Sequence, residues 1–549
     1  MVKNPKYLFV VGGVISGVGK GIAASSIARI LKNKGYSVTA LKIDPYINID
    51  AGTMNPTEHG EVFVLSDGDE TDQDMGNYER FLNTDLSRIN YMTTGRVYQS
   101  VIEKERSLYY KGKCVEVVPH IPLEVIERIE FAQKKAQSEI TIVEIGGTVG
   151  EYQNMLFLEA ARMMKIKHPK NVFFAMVSYL PVPSKVGEMK TKPTQTAVRT
   201  LNASGILPDF IIARSQEKLD AKRKEKISVF CNVPTERIIA APDVDSIYDV
   251  PANFEKEGLS TLLTSVMKLS QKKTVSPEKK KWTTFVNSAH TPKKSVRIAV
   301  IGKYFDTGEY LFADSYVSVI EALKYSSYTL GLKPELTWLN VVDFEDGTKN
   351  LSILKKFDGV LIPGGFGSRG IEGKIKVIEY IRKNKIPFFG ICYGMQLALV
   401  EIARNVLKLK DAHTEEVNPK TSHPVIHIMQ SQVKHLSEKR YGGNMRLGSY
   451  TAMLVKNTHA YDAYKSSEII ERHRHRYEVN TEYIASFEKQ GVVFSGTSPD
   501  KTLMEIMELP KKMHPFFVGV QFHPEFLARP LAPHPLFTAF IKSASSKKK

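Results

Sequence analysis

Short apolar runs alternate with longer amphipathic segments through most of the chain. Five runs rich in β-branched and aromatic residues have the length of strands, at 7–11, 38–43, 140–145, 172–177 and 210–213. Residues 22–31 repeat apolar positions with the period of a helix. Continuous apolar strands separated by helices are typical of a parallel sheet that helices cover on both faces. The pattern predicts an α/β domain in the first half of the chain.

A second strand–helix series begins at residues 296–302 and continues through apolar runs as far as 516–520. The segment between the two series is rich in Lys, Ser and Pro and has no sustained period, which is typical of a linker. We therefore predict two doubly wound parallel-sheet α/β domains, with ligands at the carboxyl ends of the strands. The predicted bounds are 1–268 and 295–543 for the domains, 269–294 for the linker and 544–549 for a basic tail.

The composition is that of a globular protein with more than one core: 549 residues, 42% hydrophobic and 9% aromatic. No apolar run reaches the roughly 20 residues that a membrane helix needs. The apolar stretch 7–15 contains Gly12 and Gly13, so it does not resemble a signal peptide. Three cysteines without a Cys-x-x-Cys pair argue against a disulfide framework and a zinc site. These features predict a cytoplasmic protein without a membrane segment.

The formal net charge of +17 favours anionic partners, either nucleic acid or small polyphosphates. The lysine clusters lie at 272–273, 279–281, 293–294 and 547–549, in the predicted linker and tail. A solvated lysine-rich surface explains them at least as well. No nucleic-acid partner is therefore expected.

Cys392 lies in the segment Gly-Ile-Cys-Tyr-Gly, directly after the apolar run 386–389. Small residues near a nucleophile allow a sharp turn between a strand and a helix, on which the thiol is held above the sheet. A later apolar run ends at residues 521–525, where His523 and Glu525 offer an imidazole and a carboxylate to activate the thiol. The arrangement predicts a cysteine amide hydrolase.

A glycine-rich segment at 12–21 connects the first predicted strand to the first predicted helix. Backbone N–H groups and the helix dipole bind anions at such a junction, and Lys20 is placed to reach phosphate. Compared with the standard phosphate loop, the first glycine lies one residue farther away, and Gly21 replaces the Ser or Thr that holds magnesium. Magnesium must then be held by other side chains.

Two further groups of polar residues suit a nucleotide site. Hard oxygen ligands for Mg²⁺ are offered by Glu144, at the end of a buried strand, and by an acidic loop that is also consistent with a solvated surface. That loop contains Asp67, Asp69, Glu70, Asp72 and Asp74. The basic and hydroxyl-rich segment 190–195 suits a triphosphate, although on composition alone it is an ordinary surface loop.

Over nearly its whole length the chain resembles the CTP synthases, which aminate UTP with nitrogen from glutamine. The matching segments are 12–21, 42–48, 59–64, 144–150, 190–195, 363–367 and 473–480. The resemblance implies an N-terminal P-loop-type, Rossmann-like synthetase domain and a flavodoxin-like class I glutamine amidotransferase domain. It also implies a ligase of pyrimidine biosynthesis, in which ATP phosphorylates the 4-oxygen of UTP and ammonia then displaces the phosphate.

The resemblance assigns the nucleotide contacts as follows. ATP is bound by Gly17, Val18, Gly19, Lys20, Gly21 and Ile22, with Val244 at the adenine, and Mg²⁺ by Asp74 and Glu144. UTP, and by overlap the feedback inhibitor CTP, is bound by Ser16, Glu151, Gln153, Lys190, Thr191, Lys192, Pro193, Thr194, Gln195 and Lys226.

In the glutaminase half the resemblance makes Cys392 the nucleophile, His523 the group that carries its proton, and Glu525 the residue that orients the imidazole. Backbone N–H groups of Gly365 and Tyr393 hold the oxyanion. Glutamine is held by Gln396, Glu416 and Arg476.

Ammonia must cross between the two sites, and in neutral water it is mostly protonated, so a closed passage is required. His59 and Val62 match residues near that passage. Arg369 and Arg446, the latter in the segment 442–446, match the region where GTP activates the family. The resemblance implies a homotetramer, and whether the tetramers stack into filaments stays open.

Three places in the chain depart from the family pattern. Residues 151–154 read Glu-Tyr-Gln-Asn where the family usually has Asp-Ile-Glu-Ser, so a charge is lost at Gln153 and the pyrimidine contacts change. Tyr393 replaces Leu at a position that acts through its backbone, and Asn444 stands where Thr is common. Two alternatives stay open: an ATP-dependent amidotransferase with another acceptor, and a filament-forming protein without catalysis.

Overall fold

The computed structural model describes residues 2–185, 187–272, 274–292, 294–303, 306–307, 310–311, 313–429, 432 and 442–546. It divides into two compact units. Unit 1 comprises the chain up to Asp50 together with Asn77–Val286, and unit 2 comprises Ala51–Gly76 together with the chain from Asn287. The lysines at 273, 293 and 547–549 lie outside the described residues.

Unit 1 contains a seven-stranded parallel sheet flanked by helices. Its strands are β1 (Lys6–Gly13), β2 (Val38–Asp44), β5 (Tyr91–Thr93), β6 (Ile140–Ile145), β7 (Val172–Tyr179), β8 (Phe210–Ser215) and β9 (Ile238–Pro242), in the order β5-β2-β6-β1-β7-β8-β9. The five strands predicted from apolar runs are all present. The strand order reverses at β1, so the loop after this strand lies where a doubly wound sheet binds ligands.

Helices flank this sheet. They are α1 (Lys20–Asn33), α3 (Asp74–Leu82), α4 (Thr94–Arg106), α5 (Val117–Ala136), α6 (Met155–Lys167), α7 (Lys192–Ala203), α8 (Ala221–Cys231), α9 (Val250–Lys256), α10 (Leu259–Val266) and α11 (Glu278–His290). Those from α4 to α8 contribute buried apolar side chains to the core of the sheet. Short 3₁₀ helices lie at Arg88–Asn90, Tyr152–Asn154, Thr235–Arg237 and Ile247–Asp249.

Much of the segment predicted as a linker is the helix α11, which the sequence period did not indicate. Trp282 and Phe285 on this helix are buried against Tyr248, and Trp282 also packs against Phe81. Glu278 pairs with the fully buried Arg29 at 2.9 Å. The apolar side chains recur three residues apart among lysines, so the helix is anchored by a narrow apolar face. The domain bounds themselves stay a prediction.

Unit 2 is built on a nine-stranded mixed sheet. Its strands are β10 (Lys294–Gly302), β13 (Leu332–Asn340), β14 (Gly359–Ile362), β15 (Phe388–Ile391), β18 (Arg446–Leu454), β19 (Glu468–His475), β21 (Val493–Thr497), β22 (Met504–Glu508) and β23 (Phe517–Val520), in the order β13-β10-β14-β15-β23-β22-β21-β18-β19. The first five are parallel, and the other four extend the sheet antiparallel. The α/β fold class is confirmed, with an antiparallel extension that the sequence did not predict.

The remaining elements of unit 2 cover or flank this sheet. The helices are α2 (Pro56–His59), α12 (Val317–Thr329), α13 (Val342–Glu345), α14 (Ile371–Lys383), α15 (Tyr393–Asn405), α16 (His459–Tyr464), α17 (Ile484–Lys489) and α18 (Pro535–Ser545). Smaller sheets pair β3 (Val62–Val64) with β4 (Glu70–Asp72), β11 (Asp306–Thr307) with β12 (Tyr310–Leu311), and β16 (Ala412–Thr414) and β20 (Tyr477–Val479) with β17 (His423–Ile428). The 3₁₀ helices are Ala313–Tyr316, Leu351–Lys356, Thr481–Tyr483 and Pro524–Leu527.

No helix in the described part of the chain combines the length and apolar character needed to cross a membrane.

Candidate active sites

The thiol of Cys392 is placed by the turn between β15 and α15. Cys392 itself has φ 50° and ψ −100°, a conformation that L-residues rarely adopt, and its N–H donates to the Val520 carbonyl at 2.6 Å. The flanking glycines serve close packing, because a Cβ on Gly394 would lie 2.3 Å from the Ile362 carbonyl oxygen and one on Gly390 2.8 Å from Gly394. The predicted elbow is therefore present.

His523 and Glu525 form the second part of this site. The imidazole Nδ1 lies 2.7 Å from Glu525 Oε1, and the ring stacks on Phe526 at 5.2 Å. Burial on its own would lower the pKa of His523, but the charges of Glu525 and Cys392 and their hydrogen bonds raise that pKa to about 10. The cationic imidazole is thus stabilised beside the thiol, where it can give a proton to a leaving group.

A cavity of about 280 Å³ opens on one side of Cys392. Every residue that the sequence assigned to glutamine lines it: Gly365, Tyr393, Gln396, Glu416 and Arg476. Glu416 Oε1 accepts the Gly367 N–H at 2.8 Å, and Arg476 donates to Gln432 Oε1 at 2.8 Å. A carboxylate and a guanidinium on the same cavity match the ammonium and carboxylate groups of a free amino acid.

A second, smaller cavity of about 70 Å³ also reaches Cys392 and His523. Val62 contributes to its wall, together with Pro56 and Glu61 from the same segment of unit 2. His59, in contrast, is exposed at the end of α2 and does not line the cavity. The thiol therefore borders two separate spaces.

The segment 51–76 packs against the glutaminase half of unit 2 through buried polar contacts that the sequence did not reveal. The Glu61 carboxylate accepts two hydrogen bonds from Ser318, one from its backbone N–H at 3.2 Å and one from its side-chain hydroxyl. Glu70 is fully buried and accepts from Arg474 Nε at 2.9 Å and from the Gly443 N–H at 3.0 Å. The Arg474 carbonyl in turn lies 3.9 Å from Cys392 Sγ. Part of the predicted acidic loop thus supports the thiol site.

In unit 1 the phosphate loop connects β1 to α1. Gly17 and Gly19 have φ of 68° and 88°, in the region that favours glycine, and α1 begins at Lys20 without an acidic residue in its first turn. The Lys20 ammonium is buried and donates to the Gly147 carbonyl at 2.9 Å. Ser16 is exposed, while the Val18 side chain is buried. A helix N-terminus with a lysine at its first position is a site for phosphate.

A cavity of about 170 Å³ lies beside this loop and is lined by Gly19, Ile22 and Val244. Arg214 also lines it and pairs with Asp243 at 2.9 Å. Its mainly apolar wall suits a flat heterocycle next to the phosphates. Arg214 has no motif around it, so the sequence did not indicate it. The backbone N–H groups of Gly21 and Ile22 belong to the first turn of the same helix.

Glu144 ends β6 with a carboxylate that is 1% exposed. Lys42 Nζ lies 3.1 Å from Glu144 Oε1 and 3.5 Å from Asp44, and the Tyr78 hydroxyl donates to the other Glu144 oxygen. A buried carboxylate near the phosphate loop fits Mg²⁺ in donor chemistry. Asp74 is the first residue of α3, and its N–H donates to Asp72. Within the described residues no group of three or more His, Cys, Asp or Glu could hold a metal.

The residues assigned to UTP are placed differently from one another. Lys190 pairs with Glu188 at 2.6 Å, and Lys192, Lys226 and Gln153 are exposed. The fully buried Thr194 forms a hydrogen bond with Ser178 at 2.8 Å, and Gln195 donates to Thr191 at 3.0 Å. These side chains therefore support the start of α7. Pro193 occupies the first turn of this helix. Glu151 approaches Gly147, where a Cβ would lie 2.7 Å from its carboxylate.

The two arginines assigned to GTP have different surroundings. Arg369 is exposed in the loop before α14. Arg446 is buried, pairs with Glu505 at 2.7 Å and lies 3.5 Å from His475. Its guanidinium is thus engaged inside the sheet, a placement that the sequence did not predict.

Two protein families match the chain: CTP synthase N-terminus over residues 6–269, and glutamine amidotransferase class-I over residues 311–543. A CTP synthase of Pyrococcus furiosus is 49% identical over 545 residues, which cover 99% of this chain and 98% of the relative. A CTP synthase of Clostridium kluyveri is 48% identical over 548 residues, with 99% of both chains covered. The solved glutaminase domain of Trypanosoma brucei CTPS, with bound acivicin, is 34% identical, covers 46% of this chain and 95% of that chain, and has a TM-score of 0.42. The chain therefore belongs to the CTP synthase family.

Proposed function

We propose that this chain makes CTP with the residues described above, at two separate sites. The overall reaction follows from the family: UTP is aminated to CTP with ATP, and the nitrogen comes from L-glutamine. One observation carries the assignment of the glutaminase residues. Five residues chosen from sequence line one cavity at the thiol, with the His523–Glu525 pair beside it.

At the glutaminase site, the Cys392 thiolate attacks the side-chain amide carbon of glutamine. The N–H groups of Gly365 and Tyr393 stabilise the oxyanion, and each such donor is worth about 3–4 kcal/mol where one has been removed from a hydrolase. His523 gives its proton to the departing ammonia and then removes a proton from the water that hydrolyses the thioester. Glu525 holds the imidazole in position throughout.

Recognition of glutamine follows from charge complementarity. Glu416 binds the α-ammonium group and Arg476 the α-carboxylate, while Gln396 donates to the Tyr477 carbonyl at 2.9 Å and supports the wall. The 70 Å³ cavity that also reaches Cys392 is suited to the released ammonia in size, and Val62, which matches a residue near the ammonia passage of the family, contributes to its wall. Neutral ammonia kept from water stays a nucleophile.

At the synthetase site, Lys20 and the N-terminal N–H groups of α1 bind the ATP phosphates, and Val244 contacts the adenine. Glu144 and Asp74 would hold Mg²⁺, which when bound neutralises phosphate charge during phosphoryl transfer. Lys190, Lys192 and Lys226 supply positive charge to the UTP triphosphate. CTP as a feedback inhibitor shares these contacts, and Gln153 in place of the usual acid changes its binding.

Three further properties are proposed from the family. GTP activates glutamine hydrolysis through Arg369 and the backbone of Gly442–Arg446, since the Arg446 side chain is engaged with Glu505. The active form is a homotetramer in the cytoplasm. Tyr152, Val229 and Phe230, which are 91%, 74% and 62% exposed, supply apolar surface for subunit contacts.

The test is Cys392→Ala, assayed with each nitrogen source. Glutamine-dependent CTP formation should disappear, because the nucleophile is lost. Ammonia-dependent formation should stay within about twofold, because the synthetase residues lie elsewhere in the chain. Loss of both activities in a folded variant would contradict the assignment of two sites.

A further inference from the structure

Two lysines are buried behind the glycine loop that borders the glutamine cavity. Lys374 on α14 is 1% exposed, and Lys303, directly after β10, is 9% exposed. Lysine is almost never buried to this extent unless it is paired, because removing an ammonium from water is costly. The proposed mechanism uses neither side chain.

Lys374 lies against the wall of the glutamine site. Its Nζ is 5.2 Å from the centre of the Tyr393 ring and 4.0 Å from the point that a Cβ on Gly365 would occupy. Lys303 Cε is 3.8 Å from the same point. Within the part of the chain that the structure describes, the Lys374 ammonium has no hydrogen bond and no ion pair. Its position thus puts an ammonium group beside the site, where the Tyr393 ring is a cation–π contact and no described carboxylate forms an ion pair with it.

The charged groups that face Lys374 are Lys303, Glu416 and Cys392. Burial raises the pKa of Glu416, whereas the Gly367 N–H, Lys303 and Lys374 oppose that effect and favour the carboxylate. Glu416 in turn accepts the Gly367 N–H at 2.8 Å and lines the glutamine cavity. The charge of Lys374 therefore acts on the carboxylate that, in the proposed function, binds the substrate ammonium group.

We infer that Lys374 is a positioning residue for glutamine, which acts by keeping Glu416 in the carboxylate form that binds the substrate ammonium. The inference rests on the proposed role of Glu416. Lys303 contributes in the same direction from β10.

The effect has a definite pH dependence. Burial, together with the charge of Lys303, lowers the pKa of Lys374 to about 7 against the opposing pull of Glu416 and Cys392. Lys374 is therefore a cation below about pH 7 and loses its charge above it. Its support of the Glu416 carboxylate is therefore present on the acid side of about pH 7 and fades as the pH rises.

The experiment compares Lys374→Met with the wild type in glutamine hydrolysis across pH. Methionine has a similar shape and no charge. Without the Lys374 charge, which favours the carboxylate form of Glu416, a smaller share of Glu416 is able to bind the ammonium group, so the KM for glutamine should rise about tenfold near pH 6. The two enzymes should converge above about pH 8, with kcat within about twofold throughout. An unchanged KM near pH 6 would overturn the inference.

A second substrate separates positioning from general damage. Glutaramate lacks the α-amino group, so Glu416 has no ammonium to bind, and Lys374→Met should leave kcat/KM for glutaramate unchanged. Equal losses for glutamine and glutaramate would mean a structural defect and would also overturn the inference. Lys376→Met is the matched control, because Lys376 is exposed on the same helix and, among the described residues, donates to the Glu345 carbonyl at 2.9 Å.

Glu416→Gln distinguishes this inference from the proposed function. If Glu416→Gln leaves the glutamine KM unchanged, the role of Glu416 is wrong. If Glu416→Gln raises that KM, Lys374→Met should add little in the double variant, because both act through the same carboxylate. If Lys374→Met still has its full effect on KM in the double variant, the inference is wrong while the role of Glu416 stands. Retained ammonia-dependent CTP synthesis would show that the Lys374→Met variant is folded. Its melting temperature should not fall, because the substitution removes a buried charge.

Discussion

Gly364 is the residue whose replacement by alanine tests the glutaminase geometry most sharply. A Cβ at this position would lie 2.8 Å from His523 Cε1 and 3.7 Å from Cys392 Cβ. Carbon atoms in contact are normally about 3.5–4.0 Å apart, so the imidazole or the loop must move by about 0.7–1.2 Å. The ring has little freedom to move, because Glu525 holds it at 2.7 Å and Phe526 stacks on it.

The displacement sets the expected loss of activity. A misplacement of about 1 Å in a catalytic group costs about 100-fold in rate. That factor corresponds to about 2.7 kcal/mol in the activation free energy. Gly365→Ala should cost much less, because its Cβ would meet only Lys303 at 3.8 Å and Lys374 at 4.0 Å, which are ordinary contact distances.

The assay measures glutamate release and CTP formation by Gly364→Ala with glutamine and with ammonia. Glutamine hydrolysis should fall about 100-fold, and ammonia-dependent CTP synthesis should be retained. Thermal unfolding shows whether the variant is folded. Glutaminase activity within threefold of the wild type would refute the placement of His523 against the loop.

Three further predictions concern other parts of the mechanism. Lys20→Met should suppress CTP synthesis from both nitrogen sources, while a glutamine analogue still alkylates Cys392; retained synthesis would remove Lys20 from the ATP site. Val62→Phe should fill the 70 Å³ cavity, so that CTP formed per glutamate released falls well below one while ammonia-dependent synthesis continues; an unchanged ratio would exclude this route. The pKa of His523 is raised from 6.5 to about 10, so its protonated imidazole stabilises the folded protein. This stabilisation is fully present below about pH 6.5 and is lost as the pH rises through about 10. The excess unfolding free energy of the wild type over His523→Gln in urea should therefore shrink between about pH 6 and pH 11, and a constant difference would contradict the raised pKa.

The elements and sites that the sequence predicted well are those with a strong local signal. The five apolar strands of unit 1 and the elbow at Cys392 each depend on a run of neighbouring residues. At the elbow, however, the glycines are needed for a different physical reason from the predicted one. The positive φ falls on Cys392 itself, whereas Gly390 and Gly394 are needed because their Cα atoms approach other backbone atoms.

What the sequence could not predict depends on residues far apart in the chain. Lys374 has the pattern of a solvated helical lysine, and only the packing of β10, α14 and α15 around it shows its burial. The packing of segment 51–76 on unit 2 depends on Glu70 and Arg474, which are 404 residues apart. The sequence did not predict the helix α11, because its lysines outnumber the two aromatic residues through which it packs against the domain.

The most direct test of the account is the fate of the glutamine nitrogen. The enzyme is supplied with UTP, ATP and glutamine carrying ¹⁵N in its side-chain amide, in the presence of excess unlabelled ammonium below the concentration that supports ammonia-dependent synthesis. If ammonia passes from Cys392 to UTP without entering bulk water, the CTP should retain nearly all of the label. CTP labelled only to the level of the mixed ammonium pool would contradict the account.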